Sequence, residues 1–214
     1  MTKSPYQSAR DAMQQAIYAI VDPFICLLLR CHVTPNMVTT TGLVGNLLAA
    51  VLIIVSALTQ PCPNLLHLSG CGLLILFASL FDMLDGRLAR TGNLSTTFGA
   101  FYDSVLDRYC ELCTLSALAL LFMNYRLPAF ALATLFSLIG SLMVSYVRAR
   151  AEGLGAECKV GLMQRPERVV LTALGLLLAP LFRSLWAVVV PQILIALLAN
   201  YTAIVRILHV RKQL

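Results

Sequence analysis

The chain has 214 residues, of which 59% are hydrophobic and only 12% are charged, and its mean hydropathy is +0.82. The charged share is about half of what soluble domains usually carry. This composition excludes an ordinary soluble enzyme, a disordered chain and a small disulfide-stapled protein, and it favours a single domain embedded in a bilayer.

The first 32 residues are predicted to form an amphipathic helix on the membrane surface. Apolar residues such as Ile17 and Phe24 recur at helical spacing between residues 5 and 31, which is typical of a helix that lies in the membrane interface. A collar helix packed against the rest of the protein would show the same pattern. Residues 1–20 lack the apolar core of a signal peptide, so no cleavage is expected.

Residues 33–214 are predicted to form a bundle of six transmembrane helices. Three windows contain almost no charged residues, and each is long enough for two helices of about 20 residues. Turn-forming residues divide every window in two. The predicted spans are 36–58, 66–90, 95–123, 128–150, 167–182 and 186–208. The expected fold class is therefore all-α, a polytopic membrane protein.

The distribution of positive charge predicts the orientation of this bundle. With six spans both termini lie on the same side. Of the 16 Lys and Arg residues, only Arg126 and Arg183 fall in connections on the other side. The positive-inside rule then places the termini in the cytoplasm and the chain in the cell (inner) membrane. The net charge of +6 suits anionic lipid and gives no reason to expect nucleic acid.

Four aspartates interrupt the second and third spans near their cytoplasmic ends. Asp82 and Asp85 share one helical face, and so do Asp103 and Asp107. The link at 91–95 is short, so the two helices are predicted to be antiparallel neighbours whose carboxylates converge. Hard oxygen ligands of this kind select Mg²⁺ or Mn²⁺. Pairing with nearby arginines is the alternative, but ionisable residues inside spans usually mark function.

The spacing of these residues resembles the signature of the CDP-alcohol phosphotransferase family. Eight residues match it over 26 positions: Asp82-x2-Asp85-Gly86-x2-Ala89-Arg90-x8-Gly99-x3-Asp103-x3-Asp107. The segment before the first span, Thr34-Pro35-Asn36-x2-Thr39-x2-Gly42, is similar to the corresponding segment of the family. On its own, that segment would also fit a helix cap. The six-span frame is that of the family over nearly the whole chain.

The resemblance implies a reaction in which an alcohol attacks a CDP-linked lipid, usually CDP-diacylglycerol, and CMP leaves. It implies that two Mg²⁺ or Mn²⁺ ions are bound by Asp82, Asp85, Asp103 and Asp107, and that Asp107 is also the general base. It further implies a homodimer. The residues expected to contact the CDP part are Asn36, Thr39, Gly86, Ala89, Arg90 and Gly99.

Arginines at the ends of the fourth and fifth spans suggest an acceptor alcohol that carries phosphate, because guanidinium groups match phosphate oxygens. The positive-inside rule would also place arginines here. The segments Ser145-Tyr-Val-Arg148-Ala-Arg-Ala-Glu and Arg165-Pro-Glu-Arg are similar to those of the phosphatidylinositol-phosphate synthases of the family. This similarity implies inositol 1-phosphate as the acceptor, bound by Ser145, Arg148, Arg165 and Arg206. A snorkelling arginine would explain Arg206 equally well.

Two other functions stay open from the sequence. Glycerol 3-phosphate would also need an arginine pocket, and its use would make the chain a phosphatidylglycerol-phosphate synthase. A six-span cation transporter could use the aspartates as an ion site. A transporter site is expected near the bilayer midplane between repeated halves, whereas these aspartates lie near one face and the halves show no repeat. CMP release on adding CDP-diacylglycerol and an alcohol would separate enzyme from transporter.

Overall fold

The structure is a computed structural model that describes residues 22–214, and within this range it contains seven helices and no strand. Helix α1 covers residues 22–30. Six long helices follow: α2 (Pro35–Thr59), α3 (Leu65–Thr91), α4 (Thr97–Asn124), α5 (Pro128–Glu152), α6 (Arg165–Phe182) and α7 (Trp186–Val210). The all-α class is confirmed, and every predicted span coincides with one of these helices to within two residues at each end.

Local sequence explains where the long helices begin. The Thr34 hydroxyl accepts a hydrogen bond from the Met37 amide (3.3 Å) at the start of α2, and the Thr96 hydroxyl accepts one from the Gly99 amide (2.9 Å) at the start of α4. Such caps satisfy amides that have no partner inside the helix. Proline stands in the first turn of α2, α5 and α6, where its missing N–H is not needed.

Four of the described helices, α2, α3, α5 and α7, are long and apolar enough to cross a membrane. Helices α4 and α6 have the length, but every stretch of 18 residues in either helix contains at least three charged residues. These residues are Asp103, Asp107, Arg108 and Glu111 in α4, and Arg165, Glu167 and Arg168 in α6. The chain therefore has the fold of a polytopic membrane protein, and the count of six spans stays a prediction.

Residues 1–21 of the predicted surface helix lie outside the described residues. Its remaining part includes α1, which is attached to the end of α3 that carries two of the aspartates. The Asp22 carboxylate accepts two hydrogen bonds from the Arg87 guanidinium (2.9 and 3.0 Å). Ile25 is buried between the bundle helices, whereas Phe24 is exposed. The position of residues 1–32 on the membrane surface stays a prediction.

Helix α2 packs against both α3 and α4, α6 packs against α3 and α7, and α5 packs against α4 and α7. Helices α3 and α4, predicted to be antiparallel neighbours, are not among the closely packed pairs, although carboxylates of the two helices converge. Their facing sides carry carboxylates, and like charges disfavour close packing. The two helices instead converge on a space between them, with α2 in contact with both.

Glycines let the helices around this space approach closely. A Cβ atom on Gly42 of α2 would lie 3.1 Å from Cβ of Phe81 and 3.2 Å from the Ala78 carbonyl oxygen in α3. On the other side of α3, a Cβ atom on Gly72 would lie 2.8 Å from the Ala173 carbonyl oxygen in α6. This contact holds α6 close to α3. Arg165, at the start of α6, therefore lies beside α3.

Substitution of Gly72 by Ala is expected to lower the thermal stability of the protein in detergent. The added methyl group would press on the backbone of α6, which cannot rotate away, and overpacking of this kind typically destabilises by about 1–3 kcal/mol. The matched control is Gly70→Ala on the same helix, where no atom lies within 4 Å of the added carbon. Equal unfolding temperatures for the two variants would show that the α3–α6 contact is not tight.

Candidate functional site

Four aspartates from α3 and α4 form the polar centre of the bundle. Asp82, Asp85 and Asp103 each offer a carboxylate oxygen within 4.8 Å of the other two. Asp107 lies one helical turn beyond Asp103, and its carboxylate faces the same space as that of Asp82. Asp85 and Asp107 are buried. The predicted convergence of the four carboxylates is thus what the structure has, even though α3 and α4 do not pack directly.

Thr39 of α2 orients one of these carboxylates. Its hydroxyl lies 2.6 Å from Oδ2 of Asp85 and 3.0 Å from the Pro35 carbonyl oxygen. A hydroxyl has one proton, and a charged acceptor gives the stronger bond, so the Asp85 carboxylate is held from the α2 side. Thr39 was predicted to contact the nucleotide, and the structure places it behind an aspartate of the cluster.

Arg165, the first residue of α6, reaches into the carboxylate cluster. Its Nη1 atom lies 2.6 Å from Oδ2 of Asp82 and 2.6 Å from Oδ1 of Asp107. Arg108 is 3.6 Å from the other oxygen of Asp107. The guanidinium of Arg165 therefore bridges a carboxylate of α3 and one of α4 across the space between these helices.

A second ion pair between α4 and α6 lies one helical turn deeper and was not predicted. Arg168 donates to both carboxylate oxygens of Glu111, from Nε at 2.6 Å and from Nη2 at 3.0 Å, and both side chains are buried. Its Nη1 atom also donates to the Met163 carbonyl oxygen (3.3 Å). Arg168 follows Arg165 by three residues and Glu111 follows Asp107 by four. This matching spacing in two separate helices is the sequence pattern from which the second ion pair could have been predicted.

A small internal cavity of about 30 Å³ lies beside this ion pair and is lined by residues from all six long helices. Two hydroxyl oxygens, of Thr114 and Ser141, and the Nε atom of Arg165 are buried at its wall without a protein partner among the described residues. A cavity of this size with several polar groups is suited to ordered water rather than to a lipid chain. The interior behind the aspartates is therefore polar.

The other residues predicted to bind the acceptor phosphate lie around the ends of α5 and α7. Arg148 is exposed and forms an ion pair with Glu152 (2.8 Å), and the Ser145 hydroxyl donates to the Ser141 carbonyl oxygen (3.2 Å). Arg206 is buried, within electrostatic range of Arg148 and Arg168. Of the four residues predicted to bind the acceptor phosphate, only Arg165 contacts an aspartate predicted to bind metal.

Arg206 has a defined position inside the protein. Its Nε atom donates to the Val160 carbonyl oxygen (2.8 Å) and its Nη1 atom to the Val144 carbonyl oxygen (2.5 Å). A snorkelling arginine would extend to the membrane surface, and Arg206 does not, since its exposed fraction is 3%. Arg206 therefore links α7 to α5 and to the loop before α6.

The residues predicted to contact the CDP part occur in adjacent pairs. A Cβ atom on Gly86 would lie 3.5 Å from Nη1 of Arg90, so the arginine side chain covers this glycine. A Cβ atom on Gly99 would lie 3.3 Å from Oδ1 of Asn36. Ala89 is half-buried on the same helix as Gly86. The structure thus brings Gly86 next to Arg90 and Gly99 next to Asn36, and their contact with the CDP part stays a prediction.

An open groove of about 630 Å³ runs from Asn36 along α2 and the start of α4. Tyr102 and Phe98 form one wall, with their rings stacked at a centroid distance of 5.8 Å, and the Tyr102 hydroxyl lies 3.1 Å from the Thr40 hydroxyl. Val44 lies further along the groove. The groove is polar at the end nearest the aspartates and apolar beyond, and its aromatic wall was not predicted.

The aspartate cluster fits a divalent metal ion. Three carboxylates supply the hard oxygen donors that such ions prefer, at mutual distances that one ion can span. The Oδ1 atom of Asp103 is buried and has no hydrogen-bond partner among the described residues. An unpaired buried carboxylate oxygen is costly unless a cation compensates it. The donors and their geometry therefore support a metal site at Asp82, Asp85 and Asp103.

Comparisons with known proteins agree with this geometry. The sequence model of a family described as CDP-alcohol phosphatidyltransferase matches residues 32–207. A phosphatidylinositol phosphate synthase of Mycobacteroides abscessus is 30% identical over 182 residues, which cover 81% of this chain and 79% of that protein. An archaetidylinositol phosphate synthase of Methanothermobacter thermautotrophicus is 38% identical over 146 residues, which cover 67% of this chain and 71% of that protein.

The fold is similar to that of a solved enzyme. A crystal structure of Mycobacterium tuberculosis phosphatidylinositol phosphate synthase with CDP-DAG bound has a TM-score of 0.78 and 29% identity, and covers 90% of this chain and 94% of that chain. The same enzyme in complex with manganese and citrate has a TM-score of 0.79 and covers 89% of this chain. With a family match over most of its length and a shared fold, this chain belongs to the CDP-alcohol phosphatidyltransferase family and is a membrane transferase.

Proposed function

We propose that this chain transfers the phosphatidyl group of CDP-diacylglycerol to inositol 1-phosphate, giving phosphatidylinositol phosphate and CMP. The observation that carries the proposal is the position of Arg165, a partly buried guanidinium in contact with Asp82 and Asp107 of the carboxylate cluster. An acceptor whose phosphate is bound by Arg165 would have its hydroxyl groups next to these carboxylates.

The relatives support the identity of both substrates. The two relatives are named for different lipids, phosphatidyl and archaetidyl, but both names contain inositol phosphate. The solved enzyme of similar fold was crystallised with CDP-DAG. The inositol phosphate acceptor is therefore the part of the reaction that these relatives share, and diacylglycerol is the lipid supported by the structural relative.

In this proposal, Asp107 accepts the proton of the acceptor hydroxyl while the hydroxyl oxygen attacks the β-phosphorus of CDP-diacylglycerol. The bond from this phosphorus to the oxygen of CMP then breaks. Bound Mg²⁺ or Mn²⁺, two ions by the family resemblance and held by Asp82, Asp85, Asp103 and Asp107, would neutralise the charge that develops on the leaving phosphate. Positioning and proton removal are the contributions of the protein itself.

The roles of the remaining binding residues are inferred from their positions in the structure and from the family resemblance. We assign the CDP part to Asn36, Gly86, Ala89, Arg90 and Gly99, and the assignment is supported by Asn36, which lines the groove and lies beside Gly99. Thr39 supports this region through its hydrogen bond to an aspartate. We propose that the acceptor phosphate is bound by Ser145, Arg148, Arg165 and Arg206.

The proposal includes a cellular arrangement. Six spans place both termini and the site on the cytoplasmic side of the cell membrane, where the water-soluble acceptor is available. The charge count supports this orientation, since 14 of the 16 Lys and Arg residues lie on the side of the termini. The segment 1–32 lies on the membrane surface, and the protein forms a homodimer, as the family resemblance implies.

A screen of acceptor alcohols tests the function directly. Wild-type protein in detergent, with CDP-diacylglycerol and Mg²⁺, is expected to release CMP with inositol 1-phosphate at least tenfold faster than with free inositol, since one charge-assisted contact contributes roughly 1.5–3 kcal/mol. Equal use of free inositol would contradict the phosphate pocket. A preference for glycerol 3-phosphate would keep the pocket and change the assigned acceptor to that of a phosphatidylglycerol-phosphate synthase.

Substitution of Arg148 or Arg165 by Ala is expected to lower kcat/KM for inositol 1-phosphate by about ten- to hundredfold. If the phosphate, which is remote from the reacting hydroxyl, is bound equally in ground and transition states, the loss appears mainly in the KM of the acceptor. The KM for CDP-diacylglycerol should change little. The control is Arg150→Ala, an exposed arginine two residues from Arg148. An equal loss in this control would indicate a general surface-charge effect.

A further inference from the structure

Arg165 stands between two sets of proposed partners. Its Nη1 atom forms ion pairs with two carboxylates, at 2.6 Å from Asp82 and 2.6 Å from Asp107. The proposed function, on which this inference rests, assigns the same guanidinium to the acceptor phosphate and the same two carboxylates to metal and to proton transfer. The acceptor phosphate and the two carboxylates therefore compete for the guanidinium of Arg165.

The surroundings allow the side chain of Arg165 to move while its helix stays in place. Arg168, one turn further along α6, is fixed by two hydrogen bonds to Glu111 and one to the Met163 carbonyl oxygen. By contrast, the Nε atom of Arg165 is buried without a partner among the described residues. The backbone at the start of α6 is thus anchored, and only the guanidinium of Arg165 needs to change partners.

We propose that Arg165 exchanges the carboxylates of Asp82 and Asp107 for the phosphate of the acceptor, and that this exchange couples acceptor binding to metal binding. When the phosphate draws the guanidinium away, the two carboxylates lose a competing cation and bind a divalent ion more tightly. By linkage, the ion tightens acceptor binding by the same factor.

The experiment is a Mn²⁺ titration of purified protein in detergent, followed by the electron paramagnetic resonance signal of free Mn²⁺. It is done with and without saturating inositol 1-phosphate, and a blank without protein corrects for Mn²⁺ bound by the phosphate itself. For the wild type, the acceptor is expected to lower the Mn²⁺ dissociation constant roughly tenfold, within the range usual for coupled sites. For Arg165→Gln, Mn²⁺ should bind more tightly than to the wild type without acceptor, and the acceptor should have no further effect.

Arg148→Gln is the matched control, because Arg148 is assigned to the same phosphate but forms its ion pair with Glu152 and not with an aspartate of the cluster. It should need more inositol 1-phosphate yet reach the wild-type shift at saturation. A wild-type Mn²⁺ affinity that does not change on acceptor binding, or an Arg165→Gln protein that responds like the wild type, would overturn the exchange. Neither outcome touches the proposed function, which fails only if CMP release does not use inositol 1-phosphate.

Discussion

Replacing Asp107 with Asn is expected to lower turnover by about 10²–10⁴-fold, the usual contribution of a general base. The amide has nearly the shape of the carboxylate but cannot accept a proton as the carboxylate does. Asp107 is buried at the wall of the cluster, in contact with Arg165 and facing Arg108, where no other carboxylate takes its place. The measurement is the initial rate of CMP release at saturating CDP-diacylglycerol, inositol 1-phosphate and Mg²⁺, with thermal unfolding as the check that the variant is folded.

Metal dependence separates the two roles assigned to Asp107. EDTA is expected to abolish wild-type activity, and excess Mg²⁺ or Mn²⁺ to restore it. If Asp107 acts as the base, excess metal does not restore Asp107→Asn; if it is chiefly a metal ligand, high Mn²⁺ does. The control is Asp22→Asn, which removes a partly exposed carboxylate that is paired with Arg87 outside the cluster and should leave turnover within about twofold, since such pairs contribute little. Near-normal turnover of folded Asp107→Asn would end the general-base assignment.

The helices and the aspartate cluster could be predicted because the signals that set them are local in sequence. Proline and capping residues fix the helix starts, as at Thr34 and Thr96, and apolar windows fix the lengths. The spacing of Asp82 with Asp85, and of Asp103 with Asp107, places each pair on one helical face whatever the partners are. The short link between the two helices brings these two faces together, so the metal site could be predicted from the spacing of the aspartates and the length of the link.

The contacts of the arginines could not be predicted because they depend on how distant helices pack. Arg165 contacts Asp82, which is 83 positions earlier in the chain, and no local pattern specifies this pair. The spacing of Arg168 from Arg165 and of Glu111 from Asp107 indicates a second pair only once the contact of Arg165 with Asp107 is known. The sequence also suggested that α3 and α4 are direct neighbours, because a short link keeps two helices close at one end. Chain length at the link does not determine packing further along, and α2 packs against both helices.

Substitution of Arg168 by Met is expected to destabilise the protein by about 3–5 kcal/mol, because Glu111 would remain buried without a compensating charge. Arg168 is 2% exposed and makes three hydrogen bonds, two to this carboxylate and one to the Met163 carbonyl oxygen. Glu111→Leu should be destabilising for the converse reason. The measurement is unfolding of each variant in detergent, by heat or denaturant, at one protein and detergent concentration.

The double variant Arg168→Met with Glu111→Leu decides whether the unpaired charge is the cause. Removal of both charges leaves apolar side chains in a buried place, and such replacements are often neutral or stabilising relative to a buried ion pair, so most of the lost stability should return. Arg148→Met is the exposed control: its ion pair with Glu152 has both side chains almost half exposed, and its loss should change stability by no more than about 1 kcal/mol. A double variant as unstable as the single ones would show that the unpaired charge is not the cause, and that the lost hydrogen bond to the Met163 carbonyl oxygen accounts for the effect of Arg168→Met. Arg165 would then owe its position beside Asp107 to the loop that precedes the helix.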